Sequence, residues 1–443
     1  MDSIFEFSLR NLVYLVPIFA LGLAFYIWSS LRTHVWIPTV ILLHFLLIQR
    51  SEEITFGELV FGIYFFSVLG FWFVRRKLFQ EKPILEDTAD LVFVVFLILC
   101  TFSLVPAMLY KADPFKWLRE YIVFVGFLLY FPIREYCREH NYTVVLLSFL
   151  VLAAYVAISN LIEYKLATAV ALYFWELVGY RQTVSEPLMM AIILVCTSLF
   201  LYAKSGSVKV LYLALVSFFG ASLILTFSRG YWIAIVLGFL LIFFLVERSQ
   251  KFRMFRYAAA FTGVASFLLI FLFSDFAKFL FDAIFTRFLS AGNIASDPSV
   301  QNRLQESAAV VAHIASNPIV GSGLGTLFRY HNILLDYTYE GWYVHNAYLY
   351  LWFKVGLFGL ITFMVAYLIR LRQNFQAFRK QQNPARRALL LGCFAILTAI
   401  IPLSITSPQF YTRDAVLIIA ICWGIASAEY SKLSPGTDSN NNV

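Results

Sequence analysis

The chain has 443 residues, 61% of them apolar and 18% aromatic, while 14% carry charge, against roughly 25% in ordinary soluble domains. So few charges cannot cover a water-soluble fold of this length, which excludes a soluble globular enzyme, a disordered chain and a disulfide scaffold. A net charge of +8 would suggest a nucleic-acid partner in a soluble protein; here the basic residues sit in short loops between apolar runs, so they read as topology signals and no nucleic acid is expected.

The apolar runs match the roughly 20 residues an α-helix needs to cross a bilayer, and the alternating ten-residue strands of a membrane barrel are absent. Spans are predicted near 11–30, 34–49, 54–74, 89–110, 118–133, 142–162, 185–203, 208–227, 231–246, 258–274, 346–369, 388–406 and 414–428. The first two are closely joined, giving 12 or 13 in all. The first follows Met1–Arg10 without a small-residue cleavage site and reads as an uncleaved anchor. The fold class is all-α, a polytopic integral membrane protein whose first partner is the lipid bilayer. Cys100, Cys196, Cys393 and Cys422 lie in apolar runs and Cys137 beside a basic loop, none at metal or disulfide spacing.

Five alternate loops, from Arg75 to Lys82, Arg134 to Arg138, Lys204 to Lys209, Arg248 to Arg256 and Arg370 to Arg387, hold 18 of the 34 basic residues. The positive-inside rule makes that side cytoplasmic. The other side carries one long excursion, so the chain divides into an N-terminal bundle (1–274), a large periplasmic loop (275–345), C-terminal spans (346–430) and a polar cytoplasmic tail (431–443). Within the loop, Phe276, Phe279, Leu280, Ile284 and Phe288 recur at helical spacing, as in a helix lying in the membrane interface. A second helix is expected from Asp297 as N-cap, with Pro298 at its first position, ending before Pro318. The stretch from Gly321 to His345 is rich in Gly and Tyr and reads as irregular.

The periplasm holds no ATP, so group transfer there must use a substrate that arrives activated, and its chemistry must lie among external polar residues. His345 stands where the long loop returns to the membrane. Histidine titrates close to neutrality, which suits a general base; the plainer alternative is an interfacial histidine capping the next span. Gly356 and Gly359 follow at i, i+3 spacing and allow close helix packing that would fix its depth. Lys354, in the same apolar run, requires a partner or a polar cavity.

Arg229 occupies a short external turn, Thr226-Phe227-Ser228-Arg229-Gly230, as either a phosphate clamp or a snorkelling side chain. Arg303 offers a second clamp, or pairs with Glu306 one turn on. Arg181 is a weaker third. Lys116, Arg119 and Arg413 are further external cations available to an anionic ligand. Gly321, Gly323 and Gly325 either cradle phosphate through backbone N–H groups or form a flexible turn. His313 and His331 read as bystanders. No Asp-x-Asp, His-x-x-x-His or clustered external carboxylates appear, so neither metal nor cofactor is expected and arginines would carry any diphosphate charge.

Three motifs together resemble the O-antigen ligase superfamily, which also covers O-antigen and exopolysaccharide polymerases. His345-Asn346, nine residues and Gly356-Leu357-Phe358-Gly359 is similar to its His-Asn-x9-Gly-x-x-Gly signature. Ser228-Arg229-Gly230 is similar to its Ser-Arg-Gly turn, and Arg303 with Pro318, Gly321, Gly323 and Gly325 to its Arg…Pro-x-x-Gly-x-Gly-x-Gly loop. Where the family commonly has an aromatic residue a few positions after the loop arginine, this chain has Glu306-Ser307-Ala308.

The resemblance implies glycan transfer from an undecaprenyl-diphosphate-linked donor to an acceptor hydroxyl, which for a ligase belongs to the lipid A-core oligosaccharide at the inner membrane's outer leaflet. It implies His345 as base and Arg229, Arg303 and Arg181 as diphosphate ligands, with Asn346 and the five motif glycines in support. A polymerase using a second lipid-linked glycan, or a protein-directed oligosaccharyltransferase, would share this chemistry. A lipid-linked glycan transporter is the competing class; such proteins tend to show inverted repeats, and none is visible.

Overall fold

The computed structural model describes residues 20–48, 55–169, 185–257, 259, 298–332 and 336–433. The helices that build the bundle and the site are, in chain order, α1 (Ala20–Ser30), α2 (Thr33–Leu43), α3 (Phe45–Ile48), α4 (Phe56–Val74), α5 (Thr88–Phe102), α6 (Leu104–Leu109), α7 (Pro114–Val125), α8 (Tyr130–Glu139), α9 (Thr143–Thr168), α10 (Glu186–Tyr202), α11 (Gly206–Ile224), α12 (Arg229–Leu245), α13 (Pro298–Ser316), α14 (Ala347–Lys380), α15 (Pro384–Leu403) and α16 (Arg413–Leu433). Among the described residues, seven stretches are long and apolar enough to cross a membrane: Phe56–Phe79, Thr88–Leu109, α9, α11, α14, α15 and α16. Ala20–Ser30, Thr33–Leu47, Glu186–Tyr202 and Arg229–Leu245 are shorter apolar helices beside them. The protein is an all-α polytopic membrane protein.

The expected span at 118–133 is helical but broken, with a 3-10 turn at Gly126–Leu129 joining α7 to α8. It carries Arg119 and Glu120 near its start, and Arg134 and Glu135 follow directly at its end. Arg181, Asp297, residues 275–290, the tail from 434, and all but one residue of the expected span 258–274 lie outside the described residues.

Local chemistry sets the helix starts. Thr55 and Glu58 form a reciprocal capping box at α4, with Oγ1 accepting from the Glu58 N–H at 3.2 Å and Oε2 from the Thr55 N–H at 3.0 Å. Asp113 caps α7 and Asn383 caps α15, each followed by Pro at the first helical position. α16 is buried nearly throughout and α11 faces outward for most of its length. Trp423 of α16 is ringed by Phe93, Phe127, Tyr130, Phe363 and Tyr367, with centroids 5.5 to 6.5 Å away, the offset and edge-on spacing that aromatic quadrupoles favour.

Two sets of contacts define the ends of the bundle. At one, the basic loops meet. Arg76 pairs with Glu135 at 2.6 Å and Glu86 at 2.8 Å, Arg138 with Glu86 at 2.5 Å, and Arg387 with Glu247 at 3.6 Å. Deeper in, buried Asp90 accepts from Arg134 at 2.7 Å and also from Arg370 and Tyr130. Several arginines whose sequence positions read as topology signals are thus also buried structural partners. At the other end, Arg413 pairs with Glu58, and the His44 ring nitrogen Nε2 lies 3.1 Å from the Arg413 carbonyl oxygen. Arg413 is therefore engaged in joining α4 to α16, a structural role its reading as an external cation did not include.

Between α13 and α14 the chain forms an antiparallel hairpin, β1 (Phe328–Asn332) with β2 (Tyr337–Gly341), pairing Tyr330 with Tyr339 and Arg329 with Glu340. The reading of this stretch as irregular is corrected. Phe328, Tyr330 and Asn332 alternate inward while Arg329 and His331 face out, a period-two pattern masked by the surrounding glycines. All five cysteines are buried and unpaired.

Candidate active site

α13 spans Pro298–Ser316, as the proline at its start and Pro318 beyond its end lead one to expect. It packs against β1 and carries Glu306. Both carboxylate oxygens of Glu306 meet His345. Oε1 accepts the His345 backbone N–H at 2.6 Å, and Oε2 lies 2.7 Å from the ring nitrogen Nδ1. The Glu306 side chain is 1% exposed and that of His345 32%, so the carboxylate is sealed behind a ring that still reaches the surface. Glu306, expected only as a neighbour for Arg303 one turn on, thus has His345 as a partner at both oxygens. Arg303 lies one turn earlier on α13, half-buried, and i, i+3 residues are neighbours on a helix surface.

The residues flanking His345 are held independently. The Tyr411 hydroxyl accepts from the Val344 N–H at 2.9 Å and donates to the Val344 carbonyl. Burial pushes the Tyr411 phenol well above its ordinary pKa, with Tyr343 adding to the shift, so the hydroxyl keeps the proton it donates. Asn346 caps α14, its Oδ1 accepting from the N–H groups of Tyr348 at 3.0 Å and Leu349 at 3.1 Å. The Tyr343 ring stands perpendicular to the His345 ring at 5.0 Å. The motif asparagine thus acts on the helix, and the histidine stands just before its start.

Arg229 is the first residue of α12, with Phe227 before it at φ 49°. A Cβ on Gly230 would lie 3.3 Å from Leu403 and 3.6 Å from Thr406, so the turn packs on the connector between α15 and α16. That connector also carries Ser404, whose carbonyl accepts the Ala347 N–H at 2.8 Å, and Tyr411. Gln409 reaches back to the Tyr231 hydroxyl at 2.7 Å. The connector therefore binds the Arg229 turn and the His345 segment to one end of the bundle.

The glycine run has a different job from a phosphate cradle. α14 is broken at Gly356, which adopts φ 77°, ψ 179°. The carbonyls freed there accept from the loop: the Ser322 N–H donates to Phe353 at 2.7 Å and the Gly323 N–H to Lys354 at 3.0 Å, while the Leu357 N–H donates to Pro318 at 3.0 Å. The Gly321 N–H is spent on Asn317 at 3.1 Å. These donors have no capacity left for phosphate. Gly321, Gly323 and Gly325 all have positive φ, and a Cβ on each would come within 2.4 to 2.6 Å of the backbone of Gly356, Ala107 or Trp117. The run is a backbone-to-backbone plug. Gly356 is a helix break, and a Cβ on the helical Gly359 would meet Val355 of the same helix at 2.4 Å, so the expected close approach to a neighbouring helix is not what these two glycines serve.

Lys354 finds the partner its position demands: Glu120 of α7 at 3.1 Å, with the Thr326 carbonyl at 2.6 Å. Burial and the nearby Lys354 charge hold His313 below its ordinary pKa, and its ring lies 5.4 Å from Phe353. His331 pairs with exposed Asp336 at 3.4 Å on the hairpin. The sequence reading missed Glu306, Glu120 and Tyr411 as members of this region. A carboxylate one turn after Arg303 was the available signal, but its partner lies 39 residues on.

No curated protein matches the chain. Residues 211–364 match the family model described as O-antigen ligase, a segment that contains Arg229, Arg303, Glu306, the glycine plug and His345. Over that segment the chain is similar to the O-antigen ligase family.

Proposed function

We propose that the protein is an O-antigen ligase. It transfers a glycan from undecaprenyl diphosphate to a hydroxyl of the lipid A-core oligosaccharide, on the periplasmic face of the bacterial inner membrane. The observation that carries this reading is His345, part-exposed and fixed on a rigid frame at the end of the bundle opposite the basic loops, within the segment that matches the ligase family. The basic loops define the cytoplasmic face, so this end faces the periplasm.

In the proposed reaction the acceptor hydroxyl gives its proton to His345 Nε2 as its oxygen forms the bond to the sugar C1. The C1–O bond to phosphate breaks, and undecaprenyl diphosphate leaves with the electron pair. Arg229 and Arg303, with Arg181, bind the diphosphate and stabilise the charge that grows on it. A diphosphate is a good leaving group, so no general acid is required. Direct displacement inverts the anomeric centre.

The test is the surface-glycan profile of cells lacking the gene, complemented with wild type or His345→Ala. A ligase deficiency leaves naked lipid A-core and long glycan on undecaprenyl diphosphate, which wild type corrects. His345→Ala should insert normally and fail to correct it, since a lost general base typically costs 10²–10⁴-fold in rate. A core capped by a single repeat in the deletion strain would instead identify a polymerase. Normal glycan restored by His345→Ala would remove the histidine from the chemistry.

A further inference from the structure

We propose that Glu306 is the positioning residue that makes His345 a base, by fixing which ring nitrogen carries the proton. This rests on the general-base reading of His345. Both carboxylate oxygens contact His345, Oε1 accepting from its backbone N–H at 2.6 Å and Oε2 lying 2.7 Å from ring Nδ1. A carboxylate only accepts, so Nδ1 holds the proton and Nε2 keeps a free lone pair. The opposite tautomer would set two acceptors against each other at that distance.

The frame around His345 leaves this task to Glu306. Tyr411 clamps both backbone groups of Val344, and Asn346 is occupied with the cap of α14. These fix where the chain runs, while the 2.7 Å contact from Nδ1 to Glu306 orients the ring. With the Glu306 side chain 1% exposed, the carboxylate meets the imidazole out of water. As Nε2 takes a proton from the acceptor, the ring becomes a cation with its counter-charge already in hydrogen-bonding contact. A carboxylate behind a histidine base works this way in serine hydrolases, where it orients the ring and stabilises the imidazolium without itself being protonated. Glu306 needs no contact with donor or acceptor to act.

Glu306→Gln separates this role from simple packing. The His345 backbone N–H can only donate, so the single amide oxygen of glutamine goes to it. The amide NH₂ then faces Nδ1, which becomes an acceptor, and the proton moves to Nε2, where the base is blocked. The experiment uses full-length protein in detergent, labelled with ¹⁵N-histidine, and an assay with lipid-linked glycan and lipid A-core extracted from the same cells. Wild type should show His345 protonated at Nδ1. Glu306→Gln should melt with wild type, show the Nε2-protonated signature, and lose about 10²–10⁴-fold in kcat with the KM for donor changed by no more than a few-fold.

Nε2-protonated His345 in wild type would overturn the proposal without any variant. So would wild-type kcat in folded Glu306→Gln. If Glu306→Gln does not fold, the wild-type tautomer decides. An inactive His345→Ala beside a fully active Glu306→Gln would remove the positioning role and leave the base reading intact. An active His345→Ala would remove the base reading itself.

Discussion

Lys354 and Glu120 show at the scale of single residues how this chain tolerates charge inside an apolar bundle. The ammonium meets the Glu120 carboxylate at 3.1 Å and the Thr326 carbonyl at 2.6 Å, and the second Glu120 oxygen accepts from Tyr350 at 2.8 Å. Each charge is desolvated, so each depends on the other. Breaking a buried pair from one side typically costs about 3–5 kcal/mol, whereas replacing both partners is far milder. Lys354→Met should therefore lower the melting temperature in detergent strongly, and Lys354→Met with Glu120→Gln should recover most of the loss. A single variant that melts like wild type would show that the pair carries no net stability. The demand for a partner was legible in the sequence, because a lysine in an apolar run has few alternatives. Glu120 as its answer was not, since 234 residues separate the two.

At the scale of elements, α14 and the glycine run form one joint. The dihedral pair of Gly356 lies where side chains are essentially excluded, a strain of about 1–3 kcal/mol for any other residue. A Cβ there would also sit 2.1 Å from the Ile319 carbonyl oxygen. Gly356→Ala should accordingly lose more than that strain alone and reduce the yield of folded protein. Gly220 provides the comparison: it lies within α11 and a Cβ there meets nothing within 4 Å. Gly220→Ala should be neutral or stabilising by up to about 1 kcal/mol. Equal melting temperatures for the two variants would refute the joint. The sequence revealed these glycines and their spacing but gave no dihedral angles. A glycine in an apolar helix more often admits a neighbouring helix than ends the hydrogen-bond ladder, so the plug was hidden.

At the scale of the whole molecule, the basic end is held by a charge network with a defined pH dependence. Burial by itself would raise the Glu86 carboxyl, but Arg138, Arg134 and Arg76 outweigh it and hold it below its usual value. For Asp87, burial is likewise outweighed, chiefly by Arg370. A carboxyl with a depressed folded-state pKa adds stability that is complete above its unfolded value and is lost as pH falls through its folded value. The melting temperature should thus change little through these groups from neutral pH down to the ordinary carboxylate range, and fall below it. Glu86→Gln should melt lower than wild type at neutral pH and lose less on further acidification. Parallel curves for the two proteins would exclude Glu86 from the network's pH response.

The sequence by itself determined the membrane class, most of the described helices and the grouping of the basic residues into alternate loops. Apolar length and loop charge are properties of local stretches, and a bilayer leaves a helix few alternatives. It also determined three motif segments and the boundaries of α13, because proline acts on its immediate neighbours. Only the tertiary structure decided what those segments meet. It gave both oxygens of Glu306 to His345, spent the glycine-loop donors on a broken helix, and turned Arg413 inward to Glu58. Each of these is a contact between residues distant in the chain, specified by the packing of whole helices, and no local pattern encodes it.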